Sequence, residues 1–257
     1  MTGLSIIIPA YNESATIAST LRQVRQYLES RGFQYQVIVS ADGTDGTREA
    51  AAKFAAGDPR ISVIGSADRG GKGRGVRNGI LQSSGDIVGF IDADYKTPIE
   101  ELDKLLPWFD RDFDVVIGSR KVADAQVCMS QPVYRRLGSR VFHCVIQGLI
   151  GLSGIRDTQC GFKFFTRAAA QQIFRLQRID GYMFDVEILR LAKLLNLRVK
   201  EAGIRWRDDG DSRYDPIAGT LRNARELLRI RRMRYEQLEI LQKQGGASEQ
   251  LPPASAA

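Results

Sequence analysis

Val88-Gly89-Phe90-Ile91-Asp92-Ala93-Asp94 is an apolar run that ends abruptly in two aspartates spaced i, i+2. The run reads as a buried strand. Thr97-Pro98-Ile99-Glu100 follows at once and reads as a helix start, with Thr97 as N-cap, Pro98 at N1 and Glu100 closing a capping box. Two carboxylates therefore stand where a core strand emerges and a helix begins. Open α/β sheets bind ligands outside the carboxyl ends of their strands. Uncompensated acids at such a place suit a hard divalent cation, which takes oxygen ligands and bridges substrate phosphates. On spacing alone the pair also fits a solvated turn, so the rest of the chain has to decide.

Before this stretch, Leu4-Ser5-Ile6-Ile7-Ile8 is a β-branched run stopped by Pro9, and Ile17, Leu21, Val24 and Leu28 mark one face of a helix. Tyr35 to Val39 reads as a second buried strand. It ends in Ala41-Asp42-Gly43-Thr44-Asp45-Gly46-Thr47, where two Asp-Gly pairs mark tight turning and Thr47 is placed to cap the helix through Phe54. Ile61 to Ile64 reads as a third strand, and Arg69-Gly70-Gly71-Lys72-Gly73-Arg74-Gly75 opens the next helix. After the central stretch, a helix from Pro98 to Phe109 and a strand from Val115 to Gly118 complete the alternation. Strands and helices at this rhythm require a largely parallel sheet covered on both faces.

Farther on, Gln131 to Leu152 reads as a long helix with Arg135, Arg136 and Arg140 near its start and an apolar later part. It packs either as core or in a membrane interface, with its arginines at the headgroups. Phe162 to Thr166 reads as an edge strand, Phe184 to Leu195 as a helix and Val199 to Trp206 as a strand. From Ile217 to about residue 243 the chain reads as a basic helix. The expected organisation is one domain over residues 1–235, with the Gly/Ser/Pro/Ala-rich residues 244–257 as a disordered tail.

Bulk composition narrows the function. Of 257 residues, 43% are hydrophobic and 26% charged, as in ordinary globular chains. The three cysteines lie far apart with no CxxC, which argues against a disulfide framework or zinc site and for a reducing, cytosolic compartment. The one histidine, His143, excludes a multi-histidine metal site. Met1-Thr2-Gly3 runs straight into strand, so no secretory leader is expected. No apolar stretch is long enough to span a bilayer. The net charge of +7 is concentrated late in the chain, and six arginines between Arg222 and Arg234 face one acid, Glu226. Such an excess points to a phosphate-rich partner.

Four features converge on the carboxyl ends of the early strands: Pro9 to Glu13, Asp42 to Thr47, Gly70 to Gly75, and Asp92 with Asp94. Pro9, Ala10 and Tyr11 suit a flat slot for a nucleoside, Glu13 and Asp42 suit acceptors for ribose or base, and Lys72 suits a phosphate contact. The glycine-rich loop matches neither the NTPase phosphate loop nor the GxGxxG spacing.

Ile8-Pro9-Ala10-Tyr11-Asn12-Glu13, the Asp-Gly-Thr turn, the Gly-Lys-Gly loop and Ile91-Asp92-Ala93-Asp94 together resemble the inverting family-2 glycosyltransferases. Gly118-Ser119-Arg120, Arg135 with Ser139, Arg156-Asp157-Thr158-Gln159-Cys160-Gly161-Phe162-Lys163 and Phe184-Asp185-Val186-Glu187 narrow the likeness to the dolichyl-phosphate β-glucosyltransferases and the wider polyprenyl-phosphate sugar transferases. The resemblance spans about residues 4 to 235 and implies a single α/β domain of GT-A (Rossmann-like) fold. It places Pro9, Ala10, Tyr11, Glu13, Asp42, Lys72, Asp92 and Ala93 around a nucleotide sugar. Asp92 and Asp94 would bind Mg²⁺ or Mn²⁺ on the diphosphate. Arg120, Arg135 and Ser139 would hold the acceptor phosphate, with Asp94, Arg120 and Arg135 as the catalytic set. Asp157 and Gln159 would shape the pocket, or Asp157 would cap the Gly154–Gly161 turn.

The implied reaction moves a sugar, glucose from UDP-glucose or a related donor, to a polyprenyl or dolichyl phosphate at the cytoplasmic membrane face. Two departures stand out. Relatives carry a double aspartate where this chain has Ala41-Asp42, and they carry a hydrophobic anchor. Peripheral contact would then use the helix near residues 131–152 and the arginines after Arg222. A soluble saccharide acceptor is the alternative within the same chemistry. A nucleotide- or nucleic-acid-binding module is the alternative outside it, and the absence of aromatics among the late arginines argues against nucleic acid.

Overall fold

The computed structural model describes residues 3–128, 145–207 and 216–235, the last with backbone alone over 216–221. Strand β1 (Gly3–Tyr11) is followed by α1 (Ile17–Ser30), β2 (Gln34–Asp42), α2 (Thr47–Ala55), β3 (Ile61–Ile64), α3 (Lys72–Leu81) and β4 (Ile87–Ile91). A 3₁₀ turn at Ile99–Glu101 leads into α4 (Leu102–Phe109), then β5 (Val115–Ser119) and β6 (Gln126–Cys128). Helical residues 145–150 (α5) precede β7 (Phe162–Thr166), α6 (Arg167–Leu176), α7 (Phe184–Leu194), β8 (Val199–Gly203), β9 (Arg205–Arg207) and α8 (Pro216–Arg232).

Seven strands form one sheet in the order β3-β2-β1-β4-β7-β5-β8, and β6 pairs with β9 in a separate parallel ribbon. All neighbours in the large sheet are parallel except β7, which runs antiparallel to both β4 and β5. Side chains alternate across a strand, so β1 feeds two cores. Ile7 joins Ile38, Val76, Phe90, Phe165 and Phe174 on the α3, α6 and α7 face. Ile6 and Ile8 join Val37, Val39, Leu21, Leu102 and Phe162 on the α1, α2 and α4 face.

Several expectations change. Phe162 to Thr166 is a central strand, not an edge. Lys163 suggests solvent by its charge, but its ammonium is fully buried and bonded to the Asp185 carboxylate and the Cys160 carbonyl. The capping box at Thr97 does not form. Pro98 occupies the cap position in extended geometry without a side-chain bond, and the Ile99 amide donates instead to the Tyr95 hydroxyl at 3.2 Å. Thr47 does not cap α2 either. Gly46, with φ of 91°, holds that place, and the Thr47 hydroxyl accepts from the Glu13 amide at 2.9 Å. Val199 to Trp206 splits at Ile204, whose buried side chain packs against Gly118. Helix α8 ends at Arg232, short of the expected residue 243, because Tyr235 turns inward and its hydroxyl donates to buried Glu187 at 2.9 Å. Most of the expected helix at 131–152, His143 and the expected tail at 244–257 lie outside the described residues. Among the described residues no helix is long and apolar enough to cross a membrane.

Candidate active site

The carboxyl ends of β1, β2 and β4 lie side by side, because these strands are parallel neighbours. Their loops are stitched together. The Ser14 amide donates to Asp45 at 3.2 Å, and the Glu13 carboxylate accepts from the Thr16 hydroxyl at 2.7 Å. Pro9 and Ala10 lie within β1, and Tyr11 ends it, half-exposed, with the Arg69 guanidinium 4.3 Å above its ring. Gly43, at φ of 105°, approaches that ring so closely that a Cβ would touch it.

Asp42 clasps the next loop. Its carboxylate accepts from the Gly70 amide at 2.7 Å and the Ser66 amide at 3.2 Å. It lines a cleft of about 300 Å³ with Ser40, Ser66, Arg74 and Asn78. Ala41, where the relatives carry a further aspartate, is buried in the core on the α1, α2 and α4 face.

At the end of β4, Asp92 accepts from the Lys72 ammonium at 2.7 Å, and Asp94 lies 3.6 Å from that of Lys96. Burial raises the pKa of Asp94 and the Asp92 charge adds to it. Each of the two acids is thus balanced by a lysine. Buried Ala93 accepts from the Thr20 hydroxyl through its carbonyl, which fixes the backbone between them. Gly161 lies directly against the Asp92 carboxylate, and a Cβ there would displace that side chain. Gly71 and Gly73 pack against the carbonyls of Asp180 and Ile179, and the Gly73 amide donates to Asp180 at 2.8 Å. Gly71 and Gly73 therefore serve close packing, and Lys72 is the charge the loop presents to Asp92.

Arg120, just past β5, forms a bidentate pair with Asp157, Nε to Oδ2 at 2.7 Å and Nη2 to Oδ1 at 2.8 Å, beneath the Trp206 ring at 5.2 Å. The Asp157 amide is held in turn by Glu201 at 2.9 Å. Burial works against the ionised Asp157, but Arg120 outweighs it and holds the carboxyl well below the usual range. Gln159 Nε2 is buried with no hydrogen-bond acceptor among the described residues. Arg135 and Ser139 lie outside the described residues. Sequence reading missed Trp206 and the Lys163–Asp185 pair. The signal for the pair was a lysine inside an otherwise apolar Phe-Lys-Phe-Phe strand.

The depressed Asp157 stabilises the fold above the unfolded aspartate value near 4, and this contribution is lost as pH falls toward its lower folded value. Asp157→Asn should therefore melt below wild type at pH 7, and the gap should shrink in acid. Thermal melts followed by circular dichroism at both pH values test this; a gap independent of pH would contradict it.

Comparison with known proteins fits this geometry. Glucosyl-3-phosphoglycerate synthase from Mycobacterium tuberculosis, solved with Mn²⁺, UDP and phosphoglyceric acid, superposes with a TM-score of 0.67 at 19% identity, over 89% of this chain and 77% of its own. Mannosyl-3-phosphoglycerate synthase from Rubrobacter xylanophilus gives 0.62 at 19% identity, over 99% and 79%. The architecture is the GT-A fold of glycosyltransferases. The profile of Glycosyl transferase family 2 matches residues 5–174. Dolichyl-phosphate beta-glucosyltransferase of Dictyostelium discoideum is 33% identical over 241 residues, 89% of this chain and 73% of its own. The Homo sapiens protein of that name is 33% identical over 247 residues, 90% and 75%. The chain belongs to glycosyl transferase family 2 and is a glycosyltransferase.

Proposed function

We propose that this enzyme transfers glucose from UDP-glucose to a polyprenyl phosphate of the dolichyl type, with inversion, at the cytoplasmic face of a membrane. The observation that carries the reading is the charge order along the sheet end: Lys72, Asp92, Asp94 and Lys96 at β4, and Arg120 at β5. The first group suits a diphosphate with its cation, and the second suits a phosphate acceptor. Likeness to enzymes named dolichyl-phosphate beta-glucosyltransferase over about nine-tenths of the chain supports the same pairing.

Asp92 and Asp94 would hold Mg²⁺ or Mn²⁺. Among the described residues no cluster of three or more acidic, His or Cys ligands exists. Two carboxylates suit a hard divalent cation, which takes oxygen ligands. The chemistry it would supply there is that of a Lewis acid, neutralising the leaving diphosphate. Tyr11 and Asp42 flank the nucleoside, and Lys72 exchanges Asp92 for a phosphate oxygen. Arg120, kept in place by Asp157, orients the acceptor phosphate, and the family resemblance assigns Arg135 and Ser139 to the same phosphate. That phosphate is already anionic, so its oxygen attacks the anomeric carbon opposite the leaving UDP without a base to remove a proton. Gln159 Nε2 offers a donor to the sugar.

The deciding experiment supplies radiolabelled UDP-glucose or GDP-mannose, a short-chain polyprenyl phosphate in detergent, and Mn²⁺. Label should enter the lipid extract from UDP-glucose and stay out in EDTA. Label confined to a water-soluble acceptor, or none from any common donor, overturns the lipid-acceptor reading.

A further inference from the structure

Helix α8 presents two unlike faces. Inward it presents Asn223, Leu227 and Ile230, all buried. Outward, the six arginines between Arg222 and Arg234 are all exposed. Glu226, the one acid in this span, is turned away from them, its carboxylate accepting from the Met183 amide at 3.0 Å. No acid in the span therefore offsets the outer face. In its middle lies Leu228, 45% exposed, and with Arg225, Arg229, Arg232 and Met233 it lines a groove of about 450 Å³. Arg225, Leu228, Arg229 and Arg232 follow i, i+3, i+4, i+7 spacing and form one stripe. Tyr182, also half-exposed, extends this face from the adjoining loop, with Arg222 5.5 Å from its ring.

We infer that this stripe is a docking surface for an anionic lipid bilayer. Basic residues around an apolar centre are what an interfacial helix presents, with arginines among the headgroups and Leu228 at the acyl boundary. The inference rests on the lipid-acceptor reading only in preferring a bilayer to nucleic acid. A bilayer is further favoured by the leucine, which a phosphodiester backbone would leave unmatched. The surface is also wired to the catalytic end. Glu226 holds Met183, Gly181 abuts Glu226, and Asp180 in the same loop accepts from Gly73 and pairs with Arg77 at 2.9 Å. Docking through α8 therefore sets the glycine-rich loop, and Lys72 within it, at a defined position relative to the membrane from which the acceptor arrives.

The test is flotation of the full chain with phosphatidylcholine vesicles, with and without phosphatidylserine, and no donor or acceptor present. Binding should require phosphatidylserine and weaken with salt. The triple variant R225E/R229E/R232E should bind at least about 100-fold more weakly, while keeping wild-type transfer to a detergent-dispersed short-chain acceptor. Leu228→Asp should weaken binding with the arginines intact. Equal binding to both vesicles, an unaffected triple variant, or retention on a single-stranded oligonucleotide without vesicle binding overturns the inference. Vesicle binding that persists when no donor labels the lipid acceptor would leave the surface standing and remove the acceptor reading instead.

Discussion

Asp94→Asn is expected to lower sugar transfer roughly 1,000-fold or more, about 4 kcal/mol of barrier, because it removes one of the two carboxylates that would hold the cation on the leaving diphosphate. The substitution keeps the size of the side chain, and Asp94 is held by an outer contact to Lys96 rather than by the core, so the fold should survive. Mn²⁺ titration separates this from a general defect. Asp94→Asn should bind the ion more weakly with or without UDP. Lys72→Met should do the opposite without UDP, since its ammonium no longer competes for Asp92, and should weaken UDP binding. Calorimetry reads both. An Asp94→Asn enzyme with near-normal turnover, or full wild-type activity in EDTA, would remove the cation from the account.

Lys163→Met is expected to cost about 3–5 kcal/mol of stability, the usual penalty for leaving one member of a buried ion pair. Lys163 and Asp185 are both buried, and the lysine lies in the centre of the sheet, 5.6 Å from the Phe90 ring. Burial already pushes the Asp185 carboxyl upward against the pull of Lys163 and Lys72. Without Lys163 it rises further. A carboxyl with a raised folded value is most stabilising in acid and loses that contribution as pH climbs through the folded value. The deficit of Lys163→Met should therefore grow from pH 4 to pH 7. Adding Asp185→Leu should recover most of it, because two apolar residues can replace a buried pair at little cost. Urea unfolding of the single and double variants measures this. Additive losses would show that the two residues act independently.

Much of the fold was legible because its signals are local. Ile61–Ile64 ended where its β-branched run did, and Ile17, Leu21, Val24 and Leu28 are all buried on one face of α1. Glycine-rich and Asp-Gly turns sat at the carboxyl ends of strands, so the acids of Asp42, Asp92 and Asp94 could be grouped before any contact was known. The helix caps were less legible. Thr97 and Thr47 had the right residue type, but Pro98 and Gly46 took those positions once the neighbouring loops packed.

The alternation of strands and helices, the two acids at the end of β4 and the arginine excess of α8 were all readable along the chain. Each depends on residues close together in the chain. That β7 enters the sheet antiparallel between β4 and β5 emerges only on folding, because a strand's own pattern does not name its neighbours. That insertion buries Lys163 beside Asp185 and brings Gly161 against Asp92. The same holds for Arg120 on Asp157 and Lys72 on Asp92, pairs 37 and 20 residues apart in sequence. Charges that far apart are matched by the path of the backbone, and only the folded sheet sets that path.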